Sequence, residues 1–314
     1  SANAVEMSVS GSAKVTYYNN DPTEVTGNPY GMNTSLAFSG SGEVNGYATS
    51  LTIVNNDANS GLSSAALAID LGDMGKITFD QGTGAGGLST IDDKLPSAYE
   101  ESWDSMDAAA TTSSNGLVGM GNSGVFVYAN EFSGYNFSGQ FGKGQSVSNS
   151  DDATGGVGGH GSSYDFAITT STLADGLTAG FGYGQIANGN GDKKEASDDK
   201  DEHMTAFVTY AVGPVTLGYQ MTSREDNKQG GIPEEATGFG VAINVMDGVS
   251  VSYNDREIEY MNASSAHATE DATGVALSYT MGSAALKIQH NESDNNDGQS
   301  VNDESTEIAL SLSF

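Results

Sequence analysis

The sequence predicts an all-β fold, a 16-stranded antiparallel transmembrane β-barrel. Apolar and polar residues alternate with period two over most of the 314 residues. Tight-turn chemistry interrupts that alternation at intervals, and the connections between strands run long and short in turn.

The alternation is legible from the first strand. Val5, Met7, Val9, Ala13, Val15 and Tyr17 fall on one face, and Glu6, Ser8, Ser10, Ser12, Lys14 and Thr16 on the other. A strand with one apolar and one wet face has this pattern, because successive side chains point to opposite sides. It returns as Tyr47/Leu51/Ile53, Tyr135/Phe137/Phe141, Tyr164/Phe166/Ile168 and Leu177/Phe181/Tyr183, then as Met204/Val208/Tyr210, Leu217/Tyr219/Met221, Phe239/Val241/Ile243, Val249/Val251/Tyr253 and Val275/Leu277/Tyr279.

The connections fix the strand number. Short turns read at Glu43 to Gly46, Gly72 to Gly75, Glu131 to Gly134, Ala174 to Gly176, Gly213-Pro214, Asp247-Gly248 and Gly282-Ser283, each with the Gly, Asp, Asn or Pro of a tight reversal. Interleaved are eight longer polar connections: Asn19 to Gly31, Asn55 to Gly61, Thr83 to Gly121, Gln145 to Gly161, Asn188 to Asp201, Glu225 to Glu234, Met261 to Ala268 and Asp294 to Asn302. Fifteen connections join sixteen strands. Short turns at one end and long loops at the other is the outer-membrane arrangement, and sixteen strands enclose an aqueous channel rather than a packed core. Tyr17, Phe38, Tyr47, Tyr183, Tyr210, Tyr253, Tyr279 and Phe314 lie near strand ends, where amphipathic rings suit a membrane interface.

Composition narrows the function. Forty-one acidic against eleven basic residues give a formal charge of −30, which argues against nucleic acid, since phosphate contacts need a positive surface. There is no cysteine, hence no disulfide framework or thiolate metal site. No apolar run is long enough for a transmembrane helix, a rule that leaves barrels untouched. Residues 1–4 read as a signal-peptide remnant ending in Ala2-Asn3-Ala4 or as a tag scar, and residues 5–314 as one barrel domain.

Three segments, Val5 to Gly11, Leu71 to Ile77 and Ile308 to the terminal Phe314, resemble the first strand, the turn into the fifth strand and the last strand of the trimeric general porins of the Gram-negative outer membrane. In that family the terminal phenylalanine is an assembly signal. The resemblance implies an integral protein of the bacterial outer membrane, a homotrimer in contact with outer-membrane lipid and lipopolysaccharide, with interface strands near the chain ends; Ala65, Leu67, Ile69 and Leu71 fit an interface or a lipid-facing surface. It also implies passive diffusion of small hydrophilic solutes.

The third long connection, 83–121, is thirty-nine residues long, a length usual for functional loops. Pro96-Ser97-Ala98-Tyr99-Glu100 reads as a capping box opening a short helix to about Met106. On it Tyr99, Trp103 and Met106 share one stripe and Glu100, Asp104 and Asp107 another. By its position this loop matches the family's inward-folded constriction loop, its aromatic stripe anchored on the wall and its acids, with Asp92, Asp93 and Glu101, facing water. A surface helix with solvated acids is the alternative. Alternation puts Lys14, Lys76, Arg224, Arg256 and Lys287 on the lumen side, with Lys14 and Arg256 near mid-height, Lys76 and Lys287 lower and Arg224 near the outer mouth. Facing rows of acid and base would set a transverse field, and the excess of acid predicts mild cation preference.

Other motifs carry less. Gly82 to Gly87 and Gly156 to Gly161 match G-x-G-x-x-G but open no helix of a βαβ unit. Ser293, Asn295, Asp297, Gly298 and Glu304 fall on positions of a calcium-loop pattern whose flanks are strands, so Asp297 and Glu304 are candidates only for weak calcium binding. The four histidines show no zinc spacing, no nucleophile elbow is present, and no enzyme activity is expected. Two further readings stand beside the general channel: a substrate-specific outer-membrane channel, and a secreted acidic β-rich binding or adhesion protein without a pore.

Overall fold

The computed structural model describes residues 6–20, 27–56, 64–84, 86–104, 123–145, 157–158, 162–187, 200–225, 232–261 and 267–314. Within them sixteen strands close into one antiparallel barrel. In chain order they are β1 (Glu6–Asn20), β2 (Tyr30–Val44), β3 (Tyr47–Asn56), β4 (Ser64–Asp70), β5 (Lys76–Gln81), β6 (Ser123–Phe132), β7 (Tyr135–Gly142) and β8 (Ser163–Thr170). They continue as β9 (Leu177–Ala187), β10 (Lys200–Val212), β11 (Val215–Glu225), β12 (Glu234–Met246), β13 (Val249–Tyr260), β14 (Glu270–Met281), β15 (Ala284–Asp294) and β16 (Asp303–Ser313). Each strand pairs with its sequence neighbours, and β1 pairs with β16 to close the ring. A two-residue parallel pair, Gly144–Gln145 with Val157–Gly158, lies outside the barrel sheet.

All seven short turns and all eight long connections fall where the alternation puts them. The turns carry the left-handed residues that tight reversals need, as at Gly134 (φ +79°), Gly213 (φ +59°) and Gly248 (φ +74°). At the closing seam Gly11 and Phe314 exchange both backbone hydrogen bonds, at 2.7 and 2.9 Å. A Cβ on Gly11 would stand 2.5 Å from the Phe314 ring, so the glycine makes room for the last side chain.

The two faces of the wall invert the usual globular order. Outward side chains are apolar and exposed, among them Leu217 (39%), Tyr219 (43%) and Leu310 (43%), whereas inward Thr205 (1%), Asn254 (3%) and Asn291 (1%) are buried and polar. On β10 the outward run Met204, Ala206, Val208, Tyr210 and Val212 covers nine residues, about 20 Å of height at roughly 2.3 Å per residue. Towards the long loops the outward face turns acidic. Glu257 stands across from Asp271, Asp271 from Asp294, and Glu292 from Glu304. Like charges directly opposite are unfavourable and cannot lie in hydrocarbon, so this ladder marks the upper edge of the apolar belt. An aromatic row, Tyr128, Phe137, Phe166 and Phe181, crosses β6 to β9 on the outer face, with Phe137 and Phe166 stacked at 6.3 Å.

The described residues contain no α-helix. The helix expected from Ser97 towards Met106 is therefore corrected over 97–104; Met106 and Asp107 lie outside the described residues. Among the described residues the helical turns are short 3-10 segments, Gly87–Thr90 among them.

Candidate functional site

Residues 86–104 run as an irregular ribbon along the polar face of the wall, from β6 round to β1. Its first fixed point is the turn Gly87–Thr90. The Gly87 amide donates to Ser138 Oγ (2.8 Å) and the Leu88 amide to the buried Asp165 Oδ1 (2.5 Å). The amide of Gly87, the last residue of the first G-x-G-x-x-G match, is thus taken by a protein group. Leu88 (2% exposed) and Ile91 (0%) then pack with Ala167, Ile186 and Phe207 into an apolar cluster on the otherwise polar inner face, beside the smaller buried pair Val125 and Val127.

Beyond it, four wall amides fasten the ribbon by its backbone. Gln220 on β11 donates to the carbonyls of Ile91 and Asp92, each at 3.0 Å, and accepts from the Lys94 amide at 2.8 Å. Asn254 on β13 donates to the Pro96 carbonyl (3.0 Å), and beside it Ser252 accepts from the Ala98 amide (2.8 Å). On β15 Gln289 accepts from the Glu100 amide (3.0 Å) and donates to the Glu101 carbonyl (2.6 Å), and Asn291 donates to the carbonyls of Glu101 and Asp104 (3.0 and 2.8 Å). This explains the missing helix. The capping box needs the Glu100 amide to bond Ser97, but that amide is bound to Gln289, while the Ser97 hydroxyl donates to the Glu100 carbonyl (2.7 Å). Backbone groups satisfied by the wall gain nothing from helical pairing.

A trough of inward glycines receives the ribbon's side chains. A Cβ on Gly182 would stand 2.5 Å from Leu88 Cδ1, on Gly238 2.7 Å from Leu95 Cδ1 and on Gly274 2.9 Å from Ser102 Cα, and one on Gly218 would overlap the Pro96 ring. Sequence reading missed this trough. Its signal was available: β9, β11, β12 and β14 each carry glycine at a position that alternation turns inward.

All five predicted bases do face inward, but they do not form a row opposite the acids. Lys14 Nζ lies 3.4 Å from Glu100 Oε1, 3.3 Å from the Tyr99 hydroxyl and 3.9 Å from Glu307. Lys287 Nζ sits 4.8 Å from the Tyr99 ring centre, so it shares the level of Lys14 rather than lying lower. Buried Arg256 stacks on Trp103 at 4.1 Å, a favourable cation–π contact. Tyr99 also donates to Glu307. The aromatic pair Tyr99 and Trp103 therefore anchors the ribbon on wall cations. Arg224 pairs with Glu234 of the neighbouring strand at 3.3 Å. Lys76 stands across from Asp70 and borders an open cavity of about 500 Å³ with Thr90, Asn130, Glu131 and Asn136.

The ribbon's acids are perturbed. Burial, then a hydrogen bond and repulsion from Asp93, push Glu101 up to about 8. Burial, followed by the charge of Glu100, raises Asp104. Tyr99 is raised by burial and by its bond to Glu307. A Glu101 that holds its proton when seated, and loses it near 4.5 when free, favours seating at low pH. That contribution is complete below the free value and lost as pH rises through about 8. Acrylamide quenching of Trp103, the single tryptophan, is expected to increase from about pH 5 to about pH 9. A weaker pH dependence in Glu101→Gln, with the part due to Asp104 remaining, is the expected control, and a flat profile in the parent would contradict the shift.

The calcium-loop pattern is not assembled as a ring. Ser293 is buried and stands across from buried Asp303, whereas Glu304 is exposed across from Glu292. Ser293 and Glu304 thus point to opposite faces of the wall. The Asp297 side chain lies outside what is described, and among the described residues no three His, Asp or Glu side chains converge as metal ligands.

A closed sixteen-stranded barrel with an apolar outside, a polar inside and a ribbon laid along its inner face is the porin fold. Known structures with this fold cover nearly the whole chain. The anion-selective porin from Comamonas acidovorans matches with a TM-score of 0.66 at 13% identity, over 99% of this chain and 100% of that one. OmpT, an outer membrane protein of Vibrio cholerae, gives 0.69 at 11% identity (100% and 99%), and Salmonella typhi OmpF, in complex with daunomycin, 0.69 at 12% identity (98% and 97%). No protein-family model and no curated protein matches the sequence.

Proposed function

We propose that the chain forms a water-filled channel in the bacterial outer membrane, for passive diffusion of small hydrophilic solutes with a mild preference for cations. The observation that carries this reading is the inverted wall, apolar and exposed outside, polar within and closed on itself. Such a wall satisfies every strand's backbone in a bilayer while keeping water in the lumen. The acidic ladder above the belt suits the headgroup layer, so the long loops face outward and outer-membrane lipid is the natural surround. A homotrimer is part of the proposal; a trimer form of the Vibrio protein is among the similar structures. The reading assigns the chain no reaction. A secreted adhesion protein would gain nothing from the exposed outer belt.

The test is a planar bilayer containing the purified chain. Stepwise conductance is expected, with a reversal potential in a potassium chloride gradient that favours potassium. Neutralising Glu100, Asp104 and Asp107 together is expected to lower the potassium-to-chloride permeability ratio by roughly twofold or more, since rings of charge bias permeation. Absence of conductance would refute the channel; an unchanged ratio would remove these acids from the passage.

A further inference from the structure

Resting on the channel reading above, we infer that the passage is lined by one sign of charge and favours small amine-bearing solutes over anions and zwitterions. Three observations lead there. The sequence holds no lysine or arginine between Lys14 and Lys76, so β2, β3 and β4 contribute no cation. Their inward positions are small and neutral at Ser39, Ser41, Ser50, Thr52, Ala66 and Ala68, and acidic at Glu43 and Asp70 towards the short turns; Ser39 and Thr52 hydrogen-bond across the strands at 3.1 Å. This is the part of the wall that the described ribbon leaves uncovered.

The second observation concerns the cations that do face inward. Lys14 is held by Glu100, Tyr99 and Glu307, Lys287 lies against Tyr99, Arg256 is buried against Trp103, and Arg224 is paired with Glu234. Lys14, Lys287 and Arg256 seat the ribbon instead of facing it across water, and Arg224 is matched by a carboxylate of the wall. Lys76 remains at the short-turn end, opposite Asp70 on the neighbouring strand.

Third, the described ribbon, 86–104, carries four carboxylates, Asp92, Asp93, Glu100 and Asp104, beside the proton-holding Glu101, and one base, Lys94. Asp92 is exposed, and the Glu100 side chain is 33% exposed even while it meets Lys14. The passage is thus bounded by a neutral hydroxyl wall and an acidic ribbon. Opposed rows of acid and base would orient dipolar solutes. A one-signed lumen instead concentrates counter-charged solutes, by about tenfold or more where low-dielectric walls focus the field. An ammonium gains from this, a zwitterion gains little, and an anion is repelled. Serine and threonine hydroxyls accept from an ammonium and bond solute hydroxyls equally well, so an amino sugar meets complementary groups on both sides.

The experiment uses the full chain in uncharged phosphatidylcholine vesicles and three solutes of similar size: glucosamine, glucose and gluconate. At about 10 mM salt, glucosamine is expected to enter about fivefold faster than glucose and gluconate about fivefold slower, with the differences collapsing at about 1 M, where charges are screened beyond about 3 Å. Gluconate entering as fast as glucose would overturn the inference while leaving the channel intact. Vesicles impermeable even to glucose would overturn the channel reading itself. In Ser39→Arg/Ala66→Arg, which places guanidinium groups on the bare wall, the ratio of glucosamine to gluconate entry is expected to fall at least fivefold. Glucose entry shows that the variant pore is open, and an unchanged ratio there would also overturn the inference.

Discussion

Valine at both Gly218 and Gly240 is expected to lift the ribbon off the wall while the sixteen strands stay closed. The two glycines stand directly across from each other on β11 and β12, and together they form the seat of Pro96. A Cβ on Gly240 would come within 3.0 Å of Pro96 Cδ and 2.5 Å of Asn254 Nδ2, the group that holds the Pro96 carbonyl. Overpacking of this kind costs about 1–3 kcal/mol per site, and here the strain falls on the docked ribbon. The strands themselves gain, because glycine weakens a strand interior and valine suits it. The expected readout is red-shifted, more readily quenched Trp103 emission together with a larger conductance step. If neither changes while the variant folds, the trough is not what seats the ribbon.

Leu88→Ala with Ile91→Ala is expected to have the second large effect, on local opening. Both side chains are fully buried, and truncating such residues costs about 2–5 kcal/mol each. That cost is charged to docking, since each side chain comes from the ribbon and not from a strand. Trypsin reads it directly, because Lys94 is the only lysine or arginine between Lys76 and Lys143. Cleavage after it requires the ribbon to leave the wall, where the Lys94 amide is bound to Gln220. A loss of about 3 kcal/mol raises the open population about a hundredfold, and fragments ending at residue 94 should accumulate accordingly. Equal cleavage rates in parent and variant would show that the apolar cluster does not anchor the ribbon.

These expectations concern the part of the molecule that the sequence shows least. Strands and turns are legible because their causes are local: period-two alternation fixes the face, and residues such as Gly213-Pro214 or Asp247-Gly248 fix the reversal. For the same reason Lys14, Lys76, Arg224, Arg256 and Lys287 could be assigned to the lumen one by one. The ribbon is different. Its capping-box sequence, Ser97 to Glu100, states a local preference, and Gln289 and Asn291, nearly two hundred residues later, override it by binding the same backbone groups. The height of Lys287 was misjudged for a related reason. Counting along one strand ignores the stagger that closure imposes between strands, and that stagger brings Lys287 level with Lys14 around Tyr99. Charge pairing was hidden too, since nothing local says that Glu100 meets the lysine on β1.

The way the ribbon is fastened sets how the passage can widen. A lid on a hinge has two positions. Here Gln220, Asn254, Gln289 and Asn291 hold the backbone at separate stations, each bond worth about 1 kcal/mol, between an apolar anchor at Leu88 and Ile91 and an aromatic one at Tyr99 and Trp103. Loss of any one station is therefore expected to widen the bore locally while the rest of the ribbon stays seated.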